Sequence, residues 1–182
     1  EPARVDLVLG EFHLAGELRQ LTARGLLHYR CASIKAKDML RLWIQHIVLN
    51  AAHPGQPGCG AVLVGRDRTL ATSPLARAPK VLASLLDLYW KGLTRPLKFF
   101  PQTALAYTEA VVAQAAGKSK QDPATVAQRK WEGDPFTEAP GECEDAYFDL
   151  CFRNKDPLDE EFAETARAVF EPLLAELKEV EP

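Results

Sequence analysis

The chain has 182 residues, 47% of them hydrophobic, with 22 Lys+Arg against 25 Asp+Glu for a net charge of −3. That length fits one domain with a sizeable core. No apolar run approaches the roughly 18–20 residues that span a bilayer and no basic-apolar-small leader opens the chain, so a cytoplasmic, membrane-free protein is expected. The chain opens Glu1–Pro2–Ala3 and its single methionine is Met39, from which we expect a piece of a longer protein.

The mean charge hides an asymmetry. Residues 1–100 hold 14 Lys+Arg and 7 Asp+Glu, or +7, whereas residues 101–182 hold 8 and 18, or −10. A basic half suits a nucleic acid or an acidic partner, and an acidic half discourages DNA along its own surface. The alternative is that the halves attract each other within one fold. Cys31, Cys59, Cys143 and Cys151 contain no C-x-x-C pair, and no Cys/His quartet has zinc-like spacing. Reduced thiols are expected, with a Cys143–Cys151 bridge left open.

In chain order, Val5, Leu7 and Leu9 alternate as a strand. Gly10 breaks it or marks a bulge, and Phe12, Leu14, Leu18 and Leu21 continue strand-like. Thr22 to Gly25 is a turn. Leu26 to Ala32 is the next strand, with Leu27, Tyr29 and Cys31 on one face and Leu26, His28 and Arg30 on the other. This run predicts an antiparallel meander.

A helix from about Ile34 to Ala52 follows, with Met39, Leu40, Trp43, Ile47 and Val48 as its stripe, widened by Leu42, Ile44 and Ala51. Gly60–Val64 and Thr69–Thr72 predict a hairpin across Gly65–Arg66–Asp67–Arg68. Helices are predicted from Lys80 to about Lys91, Gln102 to Ala116 and Asp122 to Trp131, with a short aromatic helix over Ala146–Phe152. A last helix begins at the Asp156–Pro157 capping signature and is kinked at Pro172. Gly133 to Gly141 is a loop. The expectation is a single domain over 1–182: a sheet-rich basic core in 1–75 and a mainly helical, acidic 76–182. About four to six strands should come from residues 5–32 and 60–73.

Strand, turn, strand, helix is the order in which a restriction-endonuclease-like, PD-(D/E)XK-type nuclease lays out its metal site. The chain resembles that α/β (α+β) scaffold, a mixed sheet covered by helices. It does so without the carboxylates: the Asp position is Arg19, and the acid-x-Lys is His28–Tyr29–Arg30. Such nucleases cluster carboxylates because Mg²⁺ takes hard oxygen ligands, and the metal then activates a water. Here the substitutions change the local charge by about three units toward positive, so no catalytic residue, cofactor or metal site is predicted. Glu11 and Glu17 remain as migrated ligands in a competing reading, that of a working metal-dependent nuclease. No Gly-x-x-x-x-Gly-Lys-Ser/Thr loop is present, so no ATP site is predicted.

A closer resemblance lies in an ordered set of short motifs. These are Arg41–Leu42–Trp43–Ile44–Gln45–His46 after the strand Leu26–Arg30, Gly65–Arg66–Asp67–Arg68, Phe99–Phe100–Pro101–Gln102–Thr103–Ala104, Lys130–Trp131–Glu132–Gly133 and Tyr147–Phe148. In this order the chain resembles the C-terminal domain of the gamma chain of bacterial exodeoxyribonuclease V, the RecC subunit of RecBCD. The resemblance implies a nuclease-like domain without an active site, in a subunit that holds duplex DNA and binds RecB-like and RecD-like motor subunits during recombinational repair of double-strand breaks. It also implies contacts with the remainder of its own parent chain.

Basic residues placed to meet phosphate are Lys35 and Lys37 at the helix start, Arg66 and Arg68 at the hairpin tip, and Arg95 and Lys98, beside Lys91, in the connector after residue 91. A solvated rim is the competing reading for each cluster, and a protein-docking domain that never touches DNA is the competing function. Phe99 and Phe100 are expected in the core rather than as a base-stacking platform. Leu93, Leu97 and Phe136 are candidates for a docking surface.

Overall fold

The structure is a computed structural model and describes residues 2–56, 58–134 and 139–180. Phe136 therefore lies outside the described residues. The chain divides into two compact units, Glu1–Trp90 with Ala175–Pro182, and Lys91–Leu174.

In the first unit, β1 (Ala3–Leu9) and β2 (Phe12–Leu18) form an antiparallel hairpin turned at Gly10–Glu11. The predicted meander does not continue from it: this hairpin is a two-stranded sheet of its own. The strand-like run to Leu21 is interrupted because Gln20 adopts φ 62, a left-handed conformation that breaks a ladder. Arg19 consequently sits in a connector rather than at the end of a long strand.

The main sheet has five strands in the order β3 (Leu21–Thr22), β4 (Gly25–Tyr29), β5 (Gly60–Val64), β6 (Thr69–Thr72) and β9 (Lys178–Val180). It is mixed: β4 and β5 run parallel from Gly25↔Gly60 to Tyr29↔Val64, and the other pairs are antiparallel. A parallel pair needs a crossover, which α1 (Ala36–Ala52) supplies. Gly25, at φ 126, permits the close start of that pair, since a Cβ there would lie 2.0 Å from the Gly60 carbonyl oxygen. The edge strand β9 has no counterpart in the sequence expectation. Three residues carry too little alternation to be read against the helical stripe that precedes them.

Helix α1 buries Met39, Leu42, Trp43, His46, Ile47 and Asn50 and packs on β1, β4 and β5. Ile44, expected to widen the stripe, is exposed. On β4 the period-2 alternation places Leu26 and His28 on the buried side and Leu27 and Tyr29 on the exposed side.

Helix α2 (Ala78–Thr94) passes from the first unit into the second. The second unit holds α3 (Pro101–Ala115), α4 (Pro123–Glu132), the two-residue strands β7 (Gly133–Asp134) and β8 (Ala139–Pro140), and α5 (Ala146–Phe152). It also holds most of α6 (Glu160–Glu176). Its core is aromatic. The fully buried Phe100 ring lies 4.3 Å from Trp131, 4.9 Å from Phe148 and 5.3 Å from Phe152, centroid to centroid, so Phe100 is core, as expected.

Asp122 caps α4 through Thr125 N. The second capping signature does not start a helix. Asp156 instead accepts from Leu158 N in a local turn, and Asp159 accepts from Phe162 N at the start of α6. That helix runs through Pro172.

Candidate nucleic-acid interface

The two basic segments of the first unit leave the sheet at the same end. β4 and β5 are parallel and finish in register at Tyr29 and Val64, so the β4–α1 loop and the β5–β6 tip emerge side by side. Ligands of open α/β sheets favour this carboxyl end of parallel strands. Three hydrogen bonds hold the segments together: Arg30 N to Val64 O at 2.8 Å, Arg66 N to Ala32 O at 3.1 Å, and Ile34 N to Asp67 Oδ1 at 2.9 Å. The tip closes on itself through Gly65 N to Arg68 O at 2.9 Å.

Lys35, Lys37 and Arg66 are exposed and Arg68 is half-buried. Among the described residues no ion pair engages any of the four. Beside the tip lies a cavity of about 360 Å³ whose lining includes Arg66, Asp67, Arg68 and Glu179. The Asp67 carboxyl is held below the usual carboxylate range, first by the Ile34 amide and further by Arg68 and Arg66.

Arg95 and Lys98 are placed differently. Both lie in the second unit and are paired there: Arg95 Nη2 reaches Glu161 Oε1 at 2.6 Å, and Lys98 Nζ bonds Asp159 and lies 3.6 Å from Glu161. The Asp159 bond raises the Lys98 pKa. The sequence shows these cations, but their partners arrive some 60 residues later.

The three positions at which the nuclease resemblance requires metal-site residues are separately occupied. His28 is buried and donates from Nε2 to Gln45 Oε1 at 2.9 Å. Arg30 Nη1 donates to both carboxylate oxygens of Asp38. Arg19 is exposed, 3.9 Å from Glu17. Among the described residues no three His, Cys, Asp or Glu side chains are grouped so as to hold a metal ion, and no helix is long and apolar enough to cross a membrane. All four cysteines are free thiols.

A five-stranded mixed sheet crossed by one helix, with Lys35, Lys37, Arg66 and Arg68 at the carboxyl end of its parallel pair, defines a mixed α/β protein. The chain belongs to the RecC C-terminal domain family, whose model matches residues 1–112. It is 28% identical over 157 residues to the RecBCD enzyme subunit RecC of Buchnera aphidicola subsp. Acyrthosiphon pisum (strain APS), which covers 81% of this chain and 14% of that protein. It is 24% identical over 175 residues to the RecBCD enzyme subunit RecC of Escherichia coli (strain K12), covering 92% and 15%. The chain thus spans about one seventh of the length of these relatives.

Proposed function

We propose that this chain is a non-catalytic, nuclease-like, DNA-contacting and subunit-docking domain. Its parent is the gamma subunit of a bacterial exodeoxyribonuclease V, an ATP-dependent cytoplasmic helicase–nuclease of recombinational double-strand-break repair. The observation that carries the DNA contact is that the segment bearing Lys35 and Lys37 and the tip bearing Arg66 and Arg68 are hydrogen-bonded to each other at one sheet end. Four cations without ion pairs among the described residues, on two segments held together by hydrogen bonds, suit the phosphates of a duplex and carry no sequence information.

The nuclease-like, catalytically silent reading is supported by the fate of the metal-site positions. Of the competing ligands, Glu11 lies in the turn before β2 and Glu17 is the strand's penultimate residue; a six-residue step along extended chain separates them by about 20 Å. Two groups so far apart do not share one cation. The docking reading is supported by apolar side chains left outside the cores: Leu93, Tyr147 and Leu150 are exposed, and Leu97 is half-buried. RecB-like and RecD-like subunits and the rest of the parent chain are the partners this reading assigns.

Binding of the chain to a labelled mixed-sequence duplex tests the reading. Affinity should be sequence-independent, fall steeply between about 50 and 200 mM salt as counterions are released, and weaken with Lys35→Glu plus Lys37→Glu. Undetectable binding at low salt, or binding unmoved by those reversals, leaves a domain that docks proteins only.

A further inference from the structure

We propose that Asp67 is the positioning residue of the basic rim: its carboxylate fastens the β5–β6 tip to the entrance of α1, so that a negative charge inside the rim strengthens binding to duplex DNA. The inference rests on the DNA-contact reading above and adds to it the residue that holds the two cation pairs as one surface.

The geometry points to this role in three ways. Asp67 Oδ1 accepts from the backbone of Ile34, whose side chain is buried, so the acceptor is anchored to a fixed point of the core rather than to a mobile surface group. The tip is shaped to sit there: a Cβ on Gly65 would lie 2.5 Å from Ile34 Cγ1 and 2.9 Å from Asp67 Oδ1, so only a glycine lets the tip approach this closely. Finally, of the three bonds between the segments, the other two are backbone to backbone. Asp67 supplies the one that a side-chain change removes.

Judged by charge alone, Asp67 is a handicap. It stands between Arg66 and Arg68 and repels phosphate at short range. On this proposal the carboxylate returns more by ordering the cations than it removes by repulsion. With the tip released, Arg66 and Arg68 no longer share a rigid frame with Lys35 and Lys37, and each phosphate contact then costs its own ordering entropy.

Two substitutions of equal charge separate the clamp from the field. Asp67→Asn and Asp67→Ala each remove one negative charge, but Asn keeps an Oδ1 acceptor for Ile34 N–H and Ala does not. Duplex binding of the 182-residue chain is measured by fluorescence anisotropy across about 50–200 mM salt, with thermal melting followed in parallel. Asp67→Asn should bind at least as tightly as the unaltered chain with an unchanged salt slope. Asp67→Ala should bind several-fold more weakly, with the slope reduced by about one to two as the Arg66 and Arg68 contacts drop out.

Equal tightening by both variants overturns the proposal, because charge then explains everything. If Asp67→Ala does not fold, Gly65→Ala carries the same comparison with every charge kept. Weaker binding with a cooperative melt supports the clamp, and unaltered affinity overturns it. Failure of the DNA reading itself shows differently, as an unaltered chain that does not bind or that ignores Lys35→Glu plus Lys37→Glu.

Discussion

Arg30 and Asp38 form a forked pair in which one guanidinium nitrogen, Nη1, lies 3.0 and 2.9 Å from the two carboxylate oxygens. Asp38 also takes the backbone N–H of Lys35 at 2.9 Å, satisfying one of the donors that a helix start leaves orphaned. One carboxylate thus caps α1 and neutralises the cation at the end of β4. Both side chains are partly shielded, 36% and 18% exposed, which places the pair between surface and buried behaviour. Asp38→Ala should lower stability by about 2 kcal/mol, the sum of a lost cap and a lost ion pair. Arg30→Ala should cost about 1 kcal/mol, and a double-mutant cycle in urea should return a coupling of about 1 kcal/mol. Additive effects would show that the pair contributes nothing.

His46 makes the first unit sensitive to acid. Its ring is fully buried, 5.7 Å from Trp43, and burial lowers its pKa from 6.5 to about 4, against smaller opposing effects of Glu176 and the Ser73 backbone. Below pH 6.5 the unfolded chain takes up a proton that the folded chain refuses. This contribution to stability is therefore complete above pH 6.5 and lost as the pH falls toward about 4, by roughly 3 kcal/mol in all. Urea midpoints at about pH 7 and about pH 4.5 measure it, with Trp fluorescence as the signal. His46→Gln should flatten that part of the pH profile even if it lowers stability at neutral pH. An unchanged profile in the variant would assign the acid sensitivity elsewhere.

What the sequence disclosed follows the range of the interactions. The β5–β6 hairpin was legible to the residue, because alternation and a Gly-Arg-Asp-Arg turn are local signals. The cations at both tips were legible for the same reason. Their convergence was not: it depends on β4 and β5 pairing in parallel across the α1 crossover, and Asp67 read alone is only a polar turn residue. The separate β1–β2 sheet turns on one backbone angle at Gln20, which no periodicity encodes. Asp156–Pro157 misled because the cap chemistry is shared by turns, and Asp159, three residues on, holds the helix start.

Arg95 and Lys98 should behave as structural cations. With Glu161 and Asp159 opposite them, their reversal creates like-charge contacts inside the second unit. Lys98→Glu should destabilise that unit by about 1–2 kcal/mol, because it breaks a pair and sets an acid beside Asp159. It should change duplex affinity far less than Lys35→Glu plus Lys37→Glu does. Melting and anisotropy on the same preparations make the comparison. A Lys98→Glu chain that melts normally and loses most of its binding would return this residue to the DNA surface.

On the proposed reading the chain neither holds a catalytic divalent cation nor cuts DNA, and the position of each relevant side chain gives the reason. A cation-dependent hydrolase of this layout needs at least two carboxylates on one metal and a base near the water. Position 19 carries a guanidinium that faces solvent near Glu17. Position 28 is a buried imidazole held by Gln45, and position 30 is occupied by its pair with Asp38. Arg19→Asp with His28→Asp restores charge without restoring a site. The carboxylate introduced at position 19 would stand in an exposed connector. The one introduced at position 28 would be buried, a setting that favours the neutral acid. We expect this double variant to be less stable and still inactive. The measurement is cleavage of linear duplex with Mg²⁺ or Mn²⁺, run beside Glu11→Ala plus Glu17→Ala. Metal-dependent cutting by the unaltered chain that disappears in that control would establish a nuclease with migrated ligands, and it would require Glu11 and Glu17 to converge despite the strand between them.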